Sequence, residues 1–274
     1  MILSYHPLFV ADKNQLCAGR SPDQSDLDII CAADVLILPQ GCKRPLYQMA
    51  KQHCLRVFPN YDARFTYPGK NGQIRLFKRF GISHPHAVPF ENTRAYTLQN
   101  HPDRLPEGLV FPIVFKYDWG GEGKTVFLIR HPNELKKQLT NAAIFEKSGQ
   151  NGFLLQTFIP VAGRVLRVVR IGEISISYWR VAKDPDQFPI NLSTGGTIDP
   201  ESDPDLQKKA VAITGKIYRR TGINLAGFDF IFSANETSPD PLLLEINYFF
   251  GRKGLGGSDG YYNILIEQIQ KWIQ

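Results

Sequence analysis

The sequence predicts a mixed α/β protein, and three observations support that prediction. Short strands and helices alternate through the first 58 residues. Two apolar runs, 225–232 and 242–247, flank a polar stretch rich in Ser, Pro and Asp, which is the pattern of a β-hairpin. Amphipathic helices are indicated over 206–220 and 263–273. Parallel and antiparallel strand pairs are therefore both expected.

Composition limits the class of protein. The chain has 274 residues, of which 43% are hydrophobic, so it can bury a large core in one domain or in two to three small lobes. No apolar run reaches the roughly 18 residues of a membrane span, and residues 1–7 lack the pattern of a signal peptide, so a soluble, cytoplasmic protein is expected. The net charge of +6 suits anionic ligands such as nucleotides or acidic peptides. The sequence has no long Lys/Arg block, so only the net charge would support a nucleic-acid partner. No nucleic-acid partner is therefore expected.

All four cysteines fall in the first fifth of the chain, and no Cys-x-x-Cys pair occurs. Reduced, buried thiols are therefore expected, with a zinc site as the alternative. The four are Cys17, Cys31, Cys42 and Cys54.

The N-terminal lobe is expected over residues 1–69. Its short strands alternate with helices, which is the order of a small parallel βαβ unit. The residues from 60 to 69 are rich in Tyr, Pro and Gly and are expected to form an irregular linker. Strands are predicted at 2–10, 35–38 and 55–58, and helices at 26–33 and 45–52.

Residues 70–155 follow the linker. They begin with a helix predicted at 73–80, which ends at Gly81. A strand that carries Lys116, a Gly-rich loop and a second strand at 125–129 follow. A helix at 133–146 then carries apolar residues on one face.

The Gly-rich loop ends in Gly123, Lys124 and Thr125, as a phosphate-binding P-loop does. That interpretation fails because the first Gly of the motif would be residue 118, which is Asp, and because a strand follows where a P-loop needs a helix. The stretch is predicted instead to be a hairpin tip whose backbone amides can cover phosphates, with Lys116 entering from the first strand. A plain hairpin with a Gly-rich turn remains the alternative.

Residues 156–274 form the rest of the chain. A strand at 153–159 leads into this stretch, and an antiparallel pair at 165–171 and 174–182 carries Arg167 and Arg180. The two amphipathic helices and the hairpin complete it.

The hairpin carries three oxygen-bearing side chains on one face. Asp229 and Glu245 are equally far from the midpoint of the turn at Thr237, so they are expected to be cross-strand neighbours. Asn247 is two residues beyond Glu245 and points to the same side. Two carboxylates and an amide oxygen suit Mg²⁺, which keeps its other positions for water and phosphate oxygens. The alternative is an Asp and a Glu on the solvent face of an edge hairpin.

The order of these parts resembles the ATP-grasp superfamily, most of all its ribosomal-protein glutamate ligase and glutathione synthetase-like branch. The resemblance covers residues 55–274. Its motifs, in chain order, are Lys70 eleven residues before Gly81-Ile-Ser-His-Pro85, Lys116 before the loop Gly120–Gly123, the strand Leu155–Ile159, Arg167, the loop Asn191–Gly196, Ala226-Gly-Phe-Asp229, and Leu244-Glu245-Ile-Asn247.

The resemblance implies an ATP-grasp fold of three lobes, at 1–69, 70–155 and 156–274, with the nucleotide between the two C-terminal lobes. It also implies that the cofactors are ATP and two Mg²⁺ ions. Carried over residue by residue, the family pattern assigns Lys70, Lys116, Gly120, Gly121 and Gly123 to the ATP phosphates, Gln156, Thr157 and Phe158 to the adenine hinge, Asp229, Glu245 and Asn247 to the metal, and Arg167 and Asn191 to the transferred phosphate.

Two departures from the family pattern concern substrate binding. Val165 stands two positions before the strand Arg, where such ligases often use an acidic residue near the nucleotide, so the ribose contact is in question. After Asn247 the family usually continues through a short turn of small residues, whereas this chain has the bulkier and more basic stretch 248–257. Because this stretch would border the acceptor site, the substrate need not be that of the relatives.

The resemblance implies a magnesium-dependent, ADP-forming carboxylate–amine ligase that acts through an acyl phosphate on small-molecule or peptide substrates. A basic cluster around the metal site would fit a carboxylate substrate better than a neutral alcohol, because like charges in a cleft need anions to balance them. A small-molecule kinase and a non-catalytic ATP-binding regulator are the alternatives. The cluster is expected to contain Arg167, Arg180, Arg252 and Lys253.

Overall fold

Three β-sheets organise the part of the chain that the computed structural model describes, which comprises residues 1–99, 104–121, 123–184, 188–189 and 195–274. One sheet is parallel and two are antiparallel. The mixed α/β class predicted from the sequence is therefore confirmed.

The first sheet is parallel and has the strand order β2-β1-β3-β4. The predicted strand at 2–10 is much shorter in the structure and ends at Ser4. Pro7 lacks a backbone N–H and cannot continue a ladder. The elements are β1 (Ile2–Ser4), β2 (Lys13–Asn14), α1 (Gln24–Cys31), β3 (Val35–Ile37), α2 (Arg44–His53) and β4 (Arg56–Phe58).

The predicted irregular linker at 60–69 contains a helix, α3 (Asp62–Thr66). The prediction missed it because five residues are too few to show a helical period. The Asn60 side chain accepts the backbone N–H of Asp62 at 2.9 Å, and the Tyr47 hydroxyl donates to Asp62 at 2.9 Å. Tertiary contacts therefore hold this single turn and place Arg64 and Phe65 at the cavity described below.

The second sheet is antiparallel, with the order β5-β8-β6-β7. Its core contains stacked rings: Phe115 lies 4.9 Å from Phe153 between centroids, and Phe90 lies 5.3 Å from Phe153. Strand β5 and helix α5 were not predicted from the sequence. The elements are α4 (Gly69–Arg79), β5 (Ala87–Phe90), α5 (Thr93–Gln99), β6 (Ile113–Tyr117), β7 (Val126–Ile129), α6 (Pro132–Glu146) and β8 (Phe153–Thr157).

The third sheet is antiparallel, with the order β11-β10-β9-β12-β13. A short 3-10 turn at Lys253–Leu255 connects it to the last helix. The elements are β9 (Arg164–Ile171), β10 (Ile174–Val181), β11 (Thr197–Asp199), α7 (Pro204–Thr221), β12 (Leu225–Ile231), β13 (Leu242–Asn247) and α8 (Gly257–Ile273).

The two faces of the third sheet have different surroundings. One face packs its apolar residues, including Val168 and Phe228, against α4 and α7. On the other face, Val169 and Ile171 lie in one core with Leu265 of α8 and with residues of β3 and β4. Helix α8 covers only part of this second face, and the remainder forms the floor of a large cavity.

The cysteines differ in exposure. Cys42 and Cys54 are buried, as expected, but Cys17 is half-buried and Cys31 is exposed. The prediction of buried thiols is therefore wrong for Cys31, which lies on the outward side of α1 while the neighbouring Ile30 points into the core. All four thiols are free. Among the helices of the described residues, none has the length and apolar character that a membrane crossing requires.

Candidate active site

A cavity of about 1110 Å³ lies between the second and third sheets, beside α3 and the start of α4. Its wall takes residues from α3, from the Gly-rich hairpin between β6 and β7, and from the third sheet. The described lining residues include six basic and three acidic side chains, so the cavity carries a net positive charge and favours anions. The basic ones are Arg64, Lys70, Lys116, Arg167, Arg180 and Lys253, and the acidic ones are Asp118, Asp229 and Glu245.

Strand register aligns four polar side chains in one row across the floor of the cavity. Tyr178 on β10 is paired with Arg167 on β9, Arg167 with Asp229 on β12, and Asp229 with Glu245 on β13. Cross-strand partners lie on the same face of a sheet, so the four side chains project together. The sequence prediction that Asp229 and Glu245 are cross-strand neighbours is confirmed.

Two arginines neutralise the Asp229 carboxylate. The Arg167 guanidinium donates from Nε to Oδ1 and from Nη2 to Oδ2, the latter at 2.8 Å, and Arg180 Nη1 donates to Oδ2 at 3.1 Å. Burial alone would raise the pKa of Asp229, but the arginine charges and hydrogen bonds outweigh it and hold the pKa below its usual value. The carboxylate is therefore ionised and tightly held.

Asn247 joins the two carboxylates. Its Nδ2 donates to Asp229 Oδ2 at 3.1 Å and to Glu245 Oε1 at 3.0 Å. The three side chains therefore converge on one point, as the sequence predicted, and each carries an oxygen suited to a hard divalent cation. Glu245 has no ion pair with any residue in the described part of the chain, so its charge is available to such a cation.

Gly227 makes room for Arg167. A Cβ at this position would lie 3.0 Å from Arg167 Cδ and 3.2 Å from Phe250 Cβ. Any larger residue would push the arginine away from Asp229. This close approach explains the Gly two residues before Asp229 in the sequence.

Lys116 and Lys70 reach the cavity from β6 and α4. Lys116 lies on β6 and is 6% exposed, and burial lowers its pKa to about 8 despite the nearby charge of Glu245. Burial also lowers the pKa of Lys70, whose Nζ donates to the backbone carbonyls of Trp119 and Gly120, each at 3.2 Å. Lys70 therefore holds the Gly-rich hairpin against the start of α4.

The substitution Lys116→Met is expected to stabilise the fold near neutral pH, because the charged amine is buried. Its pKa is about 8 in the folded chain against an ordinary value of 10.5 for lysine, so between these values the unfolded chain binds more protons and the Lys116 contribution to stability rises with pH. The advantage of Met should be largest below about pH 8 and should shrink toward the upper value. Urea unfolding of both chains at several pH values measures this difference.

The exposed Lys78 provides the matched control. Lys78→Met should show no comparable change with pH. A Lys116→Met difference that stays constant over the same pH range would contradict the prediction.

The Gly-rich loop leads from β6 into β7, so the strand predicted in place of a P-loop helix is confirmed. Its three described glycines differ in what they require. Gly120 has a φ of +77°, and a Cβ there would lie 2.5 Å from Thr125 Cγ2. Gly123 has a φ of +76°. Around Gly121, no atom of the described residues other than its chain neighbours lies within 4 Å of an added Cβ.

The three residues predicted to form the adenine hinge lie in two different places. Thr157 and Phe158 line the main cavity, and the Thr157 N–H donates to the His86 carbonyl at 2.9 Å. Gln156 is buried and lines a small adjoining pocket shared with Lys70 and Lys116. Further apolar residues line the same cavity, namely Val114, Val126, Ile159, Val165, Ile231 and Leu244.

The remaining predicted residues are not all at the cavity. Lys253 lines it, but Arg252 is not among the lining residues. The Arg252 guanidinium lies over the rings of Tyr261 and Tyr262, 4.8 and 4.5 Å from their centroids, because these aromatic faces on α8 attract a cation. Asn191 falls outside the described residues.

Two further residues were missed from the sequence. Gln73 on α4 exchanges two hydrogen bonds of 2.8 Å with the backbone of Ile246, which fixes the edge strand that carries Glu245 and Asn247. Tyr178 lines the cavity beside Arg167. Its position two residues before Arg180 on a strand was a usable signal, because alternate residues share a face. Gln73 gave no such signal.

A family model described as a RimK-like ATP-grasp domain matches residues 77–272. A comparison with curated protein sequences gives no match.

Solved structures share the fold. A RimK domain ATP-grasp protein from Sphaerobacter thermophilus superposes with a TM-score of 0.62 at 13% identity, covering 97% of this chain and 98% of that one. The D-Ala:D-Ser ligase VanG from Enterococcus faecalis gives 0.62 at 15% identity over 88% and 73% of the two chains. The N5-carboxyaminoimidazole ribonucleotide synthetase from Thermotoga maritima gives 0.60 at 17% identity over 99% and 68%. At these identities the likeness concerns the fold alone.

Proposed function

The chain belongs to the RimK-like ATP-grasp family, and from that premise we propose that it is a magnesium-dependent, ADP-forming carboxylate–amine ligase. The observation that carries the proposal is the row Arg167, Asp229 and Glu245, joined by Asn247, at the floor of a positively charged cavity. Two of the structural neighbours are by their titles a D-Ala:D-Ser ligase and a carboxyaminoimidazole ribonucleotide synthetase.

Each group has a role in this proposal. Lys70 and Lys116 hold the ATP phosphates, the backbone of the hinge meets the adenine, and Thr157 and Phe158 form the wall there. Asp229, Glu245 and Asn247 would hold Mg²⁺, which when bound neutralises phosphate oxygens during transfer. Arg167 and Arg180 have positive charge in excess of the single Asp229 carboxylate between them, so they can also stabilise the transferred phosphoryl group.

The proposed reaction has two transfers. A carboxylate oxygen of the substrate attacks the γ-phosphorus of ATP, the bond to the β–γ bridging oxygen breaks, and ADP leaves. The nitrogen of a deprotonated amine then attacks the acyl carbon of the acyl phosphate, and inorganic phosphate leaves as the amide forms. The Gly-rich hairpin would exclude water from the acyl phosphate in the meantime.

Hydroxylamine capture tests the proposal. The chain is incubated with MgCl2, ATP, candidate carboxylates and hydroxylamine, and the ligase should give a hydroxamate together with ADP and phosphate. AMP with pyrophosphate would indicate adenylation instead, and a stable phosphorylated product would indicate a kinase. ATP binding with no turnover on any carboxylate would indicate a regulator and contradict the ligase.

A further inference from the structure

One part of the cavity wall is aromatic and contains none of the predicted nucleotide-binding residues. It is formed by Phe65, Tyr248 and Phe249 around Arg64, and this group is called the aromatic wall below. The Arg64 guanidinium lies over the rings of Phe65, Phe249 and Tyr248, with 4.9, 5.2 and 6.0 Å to the centroids. Its Nη1 also donates to the Cys42 carbonyl at 3.1 Å, so the arginine is fixed in place.

Phe249 leaves apolar surface open to this cavity. Its side chain is 60% exposed, although it lies beside Gly41 and Arg64. An exposed phenylalanine in a cavity wall gains free energy when an apolar group covers it, at roughly 25 cal/mol for each Å² removed from water. The wall therefore suits a ligand with a ring or another large apolar group.

The charged groups near the aromatic wall favour an acid. Arg64 and Lys253 line the cavity and form no ion pair with any residue that the structure describes. The backbone next to Lys253 packs closely against Tyr178, because a Cβ on Gly254 would lie 2.4 Å from that ring. The acidic residues of the described lining are Asp118, near Lys70, and the pair Asp229 and Glu245, so none is left to recognise an ammonium group beside Phe249.

We propose that the carboxylate substrate carries an aromatic or large apolar group, which covers Phe249 while Lys253 pairs with the carboxylate. This inference rests on the proposed ligase function and adds the class of acid. It follows from the chain's own stretch 248–254, where basic and aromatic residues stand side by side.

Binding without turnover tests the inference. Calorimetry on the whole chain with MgCl2 and the non-hydrolysable analogue β,γ-imido-ATP compares 3-phenylpropionate with propionate, and L-phenylalanine with L-alanine. Each aromatic acid should bind at least about tenfold more tightly than its small counterpart, a difference of about 1.4 kcal/mol. Phenethylamine, which has the ring and no carboxylate, should bind as weakly as propionate. The two pairs distinguish a simple acid from an amino acid as the substrate.

Two variants and a control locate the effect. Phe249→Ala should abolish the preference for aromatic acids, and Lys253→Gln should weaken both acids of a pair equally while retaining the preference. Leu55→Ala, a fully exposed apolar residue outside the cavity, should change neither. Equal affinity for both members of each pair, or an unaltered preference in Phe249→Ala, would overturn the proposal.

Sedimentation velocity on the same variants addresses the other possible cover for Phe249. If Phe249→Ala turned dimers into monomers and left the acid preference unchanged, a second copy of the chain would cover the ring and the proposal would be wrong. Hydroxamate formation from small acids, without preferential binding of aromatic ones, would overturn this inference and leave the ligase function intact. Preferential binding with no hydroxamate would contradict the ligase function, but it would still support the binding of aromatic acids at the aromatic wall.

Discussion

Replacing Glu245 by Gln is expected to leave the chain folded while magnesium-dependent nucleotide turnover falls about a hundred- to a thousandfold. Glu245 is half-buried, and among the described residues its carboxylate accepts a hydrogen bond from Asn247 at 3.0 Å and forms no ion pair. Gln has the same shape and can keep that hydrogen bond, but it lacks the charge that a divalent cation needs. ADP release over a magnesium titration, together with thermal unfolding, measures both effects.

Asp229→Asn provides the contrast. It should lose turnover to a similar extent, but it should also lower the free energy of unfolding by about 3–5 kcal/mol, because Arg167 would be left buried without its partner. Equal magnesium dependence in wild type and Glu245→Gln would show that the acidic pair holds no catalytic metal. If Glu245→Gln failed to fold, the acidic pair Asp229 and Glu245 would have a structural role instead.

Gly121→Val is the second large effect, with an expected loss of nucleotide turnover on the order of a hundredfold. The side chain would occupy the space through which the loop backbone approaches phosphate, and no atom of the described residues other than its chain neighbours lies within 4 Å of the new Cβ. Stability should change by less than about 0.5 kcal/mol. Steady-state ADP release and urea unfolding report the two quantities separately.

Gly120→Val is the control that distinguishes loss of phosphate approach from disruption of the turn conformation. Gly120 has a φ of +77° and lies close to Thr125, so a branched residue there should destabilise the hairpin by about 1–3 kcal/mol. If Gly121→Val destabilised the chain as strongly as Gly120→Val, the loop would be a plain structural turn, and its predicted contact with phosphate would be unsupported.

Periodicity predicted the parts of the site that lie on regular strands. Asp229, Glu245 and Asn247 could be placed together because the hairpin is antiparallel and its midpoint could be counted from the sequence. The structure has an irregularity after Asp229, so Leu243 faces Phe230 and Leu244 is the extra residue. Phe230 and Leu243, on the turn side of the irregularity, are not symmetric about Thr237. The extra residue makes Asp229 and Glu245 symmetric about it, so the count from Thr237 identified this pair correctly.

The parts that could not be predicted depend on long-range packing. Helix α3 is held by Tyr47 and Asn60, and nothing in five residues of local sequence requires it. Arg252 was expected in the basic cluster because of its position in the chain, but the rings of α8 hold it elsewhere. Phe249 is an ordinary hydrophobic residue in the sequence, and only the fold shows that it remains exposed inside a cavity.

The in-register row across the third sheet limits where insertions and deletions can be tolerated. A single residue inserted in β12 before Asp229 would turn either Asp229 or the preceding half of the strand to the opposite face, because strand side chains alternate. The connection between Ile231 and Leu242 lies outside the paired positions, so its length can change without moving the row. Length variation among homologues of this chain should therefore concentrate at 232–241 and be absent from 226–229.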